Sequence, residues 1–459
     1  MNAKVDEKTQ LILYKDPIWK GLLYLSFPVF LVNILKTLHD IVDGIFLGQV
    51  KGAEIATSMQ SAVALTWPIF FIFISFGMGL SVAGNALIGQ YVGKGDYLNA
   101  KKYANNTVFI ALFLGVLFTI AAFVLAPTIL TLMGAEGTDK EFAITYLRIR
   151  SFELPILFLI FAFEAVRRAT GDTVTPVIVN AIGILLNIIL TPILVLGLNM
   201  GVTGAALSTV AAHVVILPAV IFFLLKSKKS ITIKFNFKHL NKVIIKDIFD
   251  IGIPASAGQS IQAVGFVILN SLIYAYGTSV SAAFFIGNRI NSLVMFPVSA
   301  VTSIVAIYIA QNVGAENIPR AKKTVREGMI TSVIMMAIGV MLLLPFSGLI
   351  VNLFSHDPET IDYAKTYVFY IGIGLPLMAV FQTFLSAFQG SGDTKKSFVL
   401  AITRLWVFRL PLILLANRFT DFGPSRIWYA MLASNILAAF VGAYLYTKVK
   451  FKPKTRKVV

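Results

Sequence analysis

Apolar residues in this chain are gathered into successive blocks of about twenty or more, separated by short polar connections, and no other feature limits the fold so tightly. The blocks run approximately over 18–47, 54–88, 103–133, 141–168, 173–196, 203–226, 244–275, 279–311, 325–351, 361–389, 397–416 and 427–448. Twenty helical residues cover about 30 Å, the thickness of a bilayer's hydrocarbon core. A transmembrane barrel would instead alternate polar and apolar residues over about ten positions, and these blocks do not alternate. Composition agrees: 57% of the residues are hydrophobic and 13% charged, about half the charged share of a soluble domain. We expect an all-α polytopic membrane protein of about twelve transmembrane helices.

The first seventeen residues carry Lys4, Asp6, Glu7, Lys8, Lys15 and Asp16, so a removable signal peptide is not expected. The absence of cysteine excludes disulfides, thiolate catalysis and cysteine-bound metal. The net charge of +17 would raise the question of nucleic acid in a soluble protein. Here its position answers otherwise. Lys and Arg number 28 around the N-terminus, alternate connections and C-terminus, against five around the opposite connections. The positive-inside rule then predicts cytoplasmic termini and a cytoplasmic 226–246 linker, whose Lys226, Lys228, Lys229, Lys234, Lys238, Lys242 and Lys246 would meet anionic lipid.

An internal repeat explains the length. QYVGKGDYLNAKK at 90–102 returns as QNVGAENIPRAKK at 311–323, a separation of 221 residues that also relates Tyr146 to Tyr367, Leu154-Pro155 to Leu375-Pro376 and Gly171-Asp172-Thr173 to Gly392-Asp393-Thr394. The first helices align at a slightly larger offset, Pro28 with Pro254. Six helices per copy is an even number, so both copies share one orientation, and two six-helix bundles related by a pseudo-two-fold axis along the membrane normal follow. The expected lobes are 1–225 and 247–459, with substrate in the cleft between them. The Gly-Asp-Thr triplets read as turns that end one helix and cap the next. No GxxxxGK[ST] loop occurs, which argues against direct ATP use.

Ionised side chains inside a bilayer cost at least about 2.5 kcal/mol each and are functional candidates by default. The apolar spans hold Asp40, Asp43, Glu153 and Glu164, whose repeat partners are Phe266, Leu269, Gly374 and Leu385. Deep acidic chemistry therefore belongs to the first half. Asp40 and Asp43 share a helical face, with Lys36 and His39 one turn before them. Either a structural ion-pair cluster or a titrating carboxylate fits that pattern. Asn180, Asn187 and Thr191 form one polar stripe, and Thr209 and His213 another; interhelical hydrogen bonding is the alternative to a binding role. Glu164 and Arg168, four apart, suggest an ion pair or gate brace. Asp247, Asp250 and Glu327 fall near predicted helix ends, where solvation is the simpler reading. Arg289, Arg404 and Arg409 fall in predicted spans and need partners; Arg289 reads as structural.

LHDIVDGIFLG at 38–48, GQYVGKGD at 89–96, LNIILTPILVLGLNMGVTGAALST at 186–209 and Arg289, together with the duplicated six-helix plan, resemble the multidrug and toxic compound extrusion transporters over nearly the whole chain. The first half is most similar to the branch named for a DNA-damage-inducible protein. The resemblance implies a secondary active antiporter that exports bulky, often cationic or amphipathic organic compounds by alternating access in exchange for protons, or for sodium. It also implies that Asp43, Asn187 and Thr209 line the coupling-ion site; Asp40 and Thr191 are further candidates for it, with Asp40 or Glu164 able to substitute for a missing acid. That branch has an Asp before the helix-5 proline where this chain has Thr191-Pro192. The loss favours protons, although Asp43, Asn187 and Thr209 could supply oxygens to sodium. Asn180, His213, Glu164 and Gln262 are candidates for the substrate cavity or its gate, Gln262 standing near the position of an acid in another bacterial branch. No cofactor is expected. The partners are a small organic substrate and the lipid bilayer, with no nucleic acid, and the chain should be a monomer in the cell membrane. Flipping of a lipid-linked oligosaccharide is the alternative. A membrane-embedded lipid-modifying enzyme is disfavoured by four histidines, no cysteine and no HExxH motif.

Overall fold

The computed structural model describes residues 13–50, 52–227, 230–234, 240–421 and 423–456, with the side chains of residues 40, 41, 43, 44 and 53 outside that description. In the first repeat the helices are α1 (Ile18–Gly48), α2 (Ala53–Gly93), α3 (Tyr97–Leu132), α4 (Gly137–Ser151), α5 (Leu154–Ala169), α6 (Val174–Pro192) and α7 (Gly201–Leu225). The second repeat has α8 (Lys242–Tyr274), α9 (Thr278–Gly314), α10 (Ile318–Leu343), α11 (Ser347–Phe354), α12 (Pro358–Gly390), α13 (Thr394–Ile402), α14 (Leu410–Phe419) and α15 (Ser425–Thr447). Wide π-helical turns, Ile193–Gly197 and Thr403–Arg409, extend α6 and join α13 to α14. The described residues form no strand.

Among the described residues eleven segments are long and apolar enough to cross a bilayer, and the remaining block, 141–168, is divided between α4 and α5, of 15 and 16 residues. The apolar block predicts one helix there. Pro155 lacks an N–H and its ring crowds the carbonyl four residues back, so the helix stops at Ser151. The freed Ser151 carbonyl accepts a hydrogen bond from Thr119 Oγ1 at 2.8 Å, as a backbone group away from water requires. Where α3 passes this break, a Cβ on Gly115 would lie 2.5 Å from Pro155 Cα, so only glycine permits the approach. Small residues serve the same end in the buried faces, among them Ala83, Ala100, Ala104, Ala111 and Ala162. Helices gain no hydrophobic drive from one another in lipid and depend on such close packing. Large apolar side chains such as Phe113, Ile120, Leu132 and Leu353 are left exposed on the surface that lipid would cover.

The chain resolves into two compact units. Unit one comprises residues 31–256 with 455–456, and unit two comprises residues 13–30 and 257–454. The described part of the basic linker is packed into unit one: Ile231 and Ile233 are buried, the Lys234 N–H donates to Asn105 Oδ1 and the Asn241 N–H to Asn106 Oδ1. Asp247 corrects the sequence reading, being 7% exposed rather than solvated. It accepts from Tyr103 Oη at 2.7 Å and faces Arg456 at 3.6 Å, partners that sequence distance hides. Asp250 is exposed, as expected.

The repeat is visible in its turns. After α2, Gly95 takes φ +78°, and Asp96 caps α3 by accepting from the Asn99 N–H. After α9, Glu316 takes φ +59°, and Asn317 caps α10 by accepting from the Arg320 N–H. The backbone bonds match one for one: Asp96 N–H to Tyr91 O, and Asn317 N–H to Asn312 O.

Candidate functional site

Unit one holds a cavity of about 280 Å³ lined by residues from six helices, including Lys36, His39, Arg150, Glu153, Glu164, Asn180, Asn187, Thr209 and His213. Three of its side chains, His39, Ile74 and Arg150, also line a neighbouring space of about 530 Å³ with Gln60, Trp67, Phe70 and Tyr146. The five candidates Glu164, Asn180, Asn187, Thr209 and His213 thus share one cavity. Gln262 lies in unit two. Asp40 and Asp43 are in α1, but their side chains lie outside the described residues.

Helix spacing explains the first cluster. Asn187 and Thr191 fall one turn apart on α6, and α7 presents Ser208 and Thr209 to them. Asn187 Nδ2 donates to Thr209 Oγ1 at 3.0 Å, while its Oδ1 accepts from Thr191 Oγ1 at 3.1 Å. Ser208 Oγ lies 3.0 Å from Thr191 Oγ1. All four residues are at most 5% exposed. Thr191 does not line the cavity; it acts through Asn187, holding the amide so that its nitrogen faces α7. Ser208 escaped the sequence reading because a serine beside a threonine carries no distinguishing signal.

Two carboxylates complete the cavity. Glu164 receives Asn180 Nδ2 and pairs with Arg168 at 3.1 Å, the i,i+4 pair expected from sequence. Glu153 sits at the α4–α5 break, 2% exposed, with Arg150 at 2.9 Å on one oxygen and His213 Nδ1 at 3.2 Å on the other. His213 Nδ1 is also 3.1 Å from the Thr209 carbonyl. Both neighbours are acceptors, so Nδ1 carries the hydrogen. Arg150 stacks over the Phe70 ring at 4.7 Å. Glu153 was legible as an acid in a span, but its partnership with His213, 60 residues away, was not. In chemical terms the cavity offers two buried carboxylates, each held by a cation, beside hydroxyl and amide oxygens. Such an arrangement can exchange a proton or another small cation.

Unit two differs. Gln262 Nε2 donates to the Gly258 carbonyl, and its Oε1 accepts from Arg404 Nη2 at 3.4 Å. Tyr367 Oη donates to Asn288 Oδ1 at 2.8 Å and packs edge-on against Trp428.

Among known proteins, the MatE family matches this chain twice, over residues 28–193 and 254–415. The probable multidrug resistance protein YoeA of Bacillus subtilis is 25% identical over 422 residues, 90% of each chain. The multidrug export protein MepA of Staphylococcus haemolyticus is 27% identical over 443 residues, 95% of each. A solved outward-facing multidrug resistance MATE family transporter of the MOP superfamily superposes with a TM-score of 0.90 at 25% identity over 98% of both chains. The two matched stretches coincide with the two copies of the repeat, and the chain belongs to the MatE family of membrane transporters.

Proposed function

We propose that this protein exports bulky organic compounds by antiport, with protons entering through the cavity of unit one. Transport rather than enzymatic chemistry is the activity, and the cell membrane, with both termini cytoplasmic, is its setting. The observation that carries the reading is the convergence of Glu153, Glu164, Asn187, Thr209 and His213 on one cavity, in the unit that among the described residues holds the buried carboxylates, Glu153, Glu164 and Asp247. Asp43 remains the principal coupling residue by family resemblance. His39, one turn before it on α1, lines the same cavity. The names of YoeA and MepA support a multidrug substrate range. Antiport requires the ion to bind the two transport states unequally, because equal binding shifts no equilibrium.

The test is ethidium transport in proteoliposomes under an imposed pH gradient, repeated under a sodium gradient alone. A pH gradient should drive transport in the parent protein. Asp43→Asn keeps the size and removes the charge, so it should lower the driven rate by about 100-fold or more without loss of folded protein. Full pH-driven transport by that variant would remove Asp43 from the mechanism. Transport driven by sodium alone would replace protons as the coupling ion.

A further inference from the structure

The second unit carries the opposite charge. Arg404 and Arg409 stand on the wide turn Thr403–Arg409 and are 4% and 2% exposed. Among the described residues neither has a carboxylate partner. Arg409 is satisfied by neutral acceptors, Ser434 Oγ at 3.0 Å and Asn435 Oδ1 at 2.9 Å. Arg404 is not. Its Nη1 meets only the thioether of Met378 at 3.0 Å, a weak acceptor. Its Nη2 reaches Gln262 Oε1 at 3.4 Å, and its Nε is buried with no acceptor. The Phe381 ring lies 4.6 Å from the guanidinium carbon. Two cations are therefore held in an apolar interior without countercharge, and one of them keeps its donors almost unused. An isolated buried charge is expensive, and a structure that retains one has an anion as its natural complement.

We infer that Arg404, with Gln262 and Met378 before it and Phe381 stacked on it, is a recognition site for the acidic group of an amphipathic ligand, a carboxylate, sulfonate or phosphate joined to an apolar body. Guanidinium offers planar paired donors that match such groups. Gln262 and Met378 are only partly buried, so turning these two flexible side chains exposes the donors. Phe381 and the thioether suit the apolar part. Arg409 supplies a second positive charge that no described carboxylate cancels. The exported compounds would then include anions or zwitterions, and not organic cations alone. This inference deepens the proposed export activity and rests on it. Its test is a binding measurement without any gradient, so absent transport and absent binding are separate outcomes.

The probes are a matched pair, dansylglycine with a carboxylate and dansylcadaverine with an ammonium group, titrated against the full chain in phosphatidylcholine nanodiscs. Arg404→Gln should weaken dansylglycine about tenfold or more and leave dansylcadaverine within about twofold. Gln262→Glu should do the same by placing an internal carboxylate on Arg404, with thermal stability kept or raised. Arg404→Lys should recover part of the affinity. Repeating the titration with phosphatidylglycerol in the disc separates the sources of the anion: Arg404-dependent loss of dansylglycine binding assigns a lipid headgroup, and unchanged binding assigns the free compound. Equal dansylglycine affinity in the parent, Arg404→Gln and Gln262→Glu proteins would overturn the inference. So would equal loss of both probes.

Discussion

The two units share turns and differ in charge. In unit one each buried glutamate has a cation within about 3 Å, Arg150 for Glu153 and Arg168 for Glu164. At the equivalent places unit two has Gly374 and Leu385, and its buried charges are arginines with neutral partners. Even the shared proline differs in effect. Leu154-Pro155 follows a helix break, whereas Leu375-Pro376 lies inside the unbroken α12. After duplication the backbone frame was kept by turn geometry, which tolerates few residues, while a handful of interior positions diverged to different chemistry.

The largest effect that could break this comparison comes from Glu153. The buried Glu153 carboxylate pairs with Arg150 and His213, while the neutral amide of Glu153→Gln removes the negative charge that offsets Arg150 in the cavity. We expect a loss of about 3–5 kcal/mol in stability, read by denaturation in detergent, and a fall in pH-driven ethidium transport. Adding Arg150→Gln should restore much of the stability but not the transport if Glu153 also serves the ion. Restored transport would make the pair structural. Arg404→Gln in unit two should cost far less, since it strands no opposite charge, and a loss as large as that of Glu153→Gln would erase the contrast.

Local and repeated features were legible in the sequence, and partners distant along the chain were not. The 221-residue offset set Gly95 opposite Glu316, and the four-residue spacing of Glu164 and Arg168 suggested their pair, because both patterns can be read along the chain itself. Asn187 and Thr209 were reached through periodicity and family resemblance. Asp247 was misread because Tyr103 and Arg456 arrive from remote segments. Arg404 was recognised as needing a partner, yet only tertiary packing brings Met378 and Gln262 to it.

A middle-sized effect sharpens the comparison in the packing. Gly84 faces Thr107 in unit one, and a Cβ there would lie 3.3 Å from Thr107 Cγ2. Their repeat equivalents are Val305 and Gly328, and a Cβ on Gly328 would lie 2.5 Å from Val305 Cγ2. The same helix crossing is made with the glycine on the other partner. Gly328→Ala should therefore cost about 1–3 kcal/mol through overpacking, and adding Val305→Ala should recover part of it. A neutral Gly328→Ala would mean that α9 and α10 separate easily, unlike their counterparts.

The smallest effect concerns the turn itself. Gly95 and Glu316 both adopt left-handed backbone, at φ +78° and +59°, but only glycine does so without a steric cost of roughly 1–2 kcal/mol. Gly95→Ala should lower stability by about 1 kcal/mol, since no atom lies within 4 Å of the added Cβ and the backbone term acts alone. Glu316→Gly should raise stability by less than that, because glycine also gains freedom in the unfolded chain. Thermal melting of the two variants in one detergent gives both signs. If Gly95→Ala were neutral while Glu316→Gly destabilised the protein, the Glu316 side chain would be contributing through contacts of its own, and the two turns would be alike in backbone geometry only.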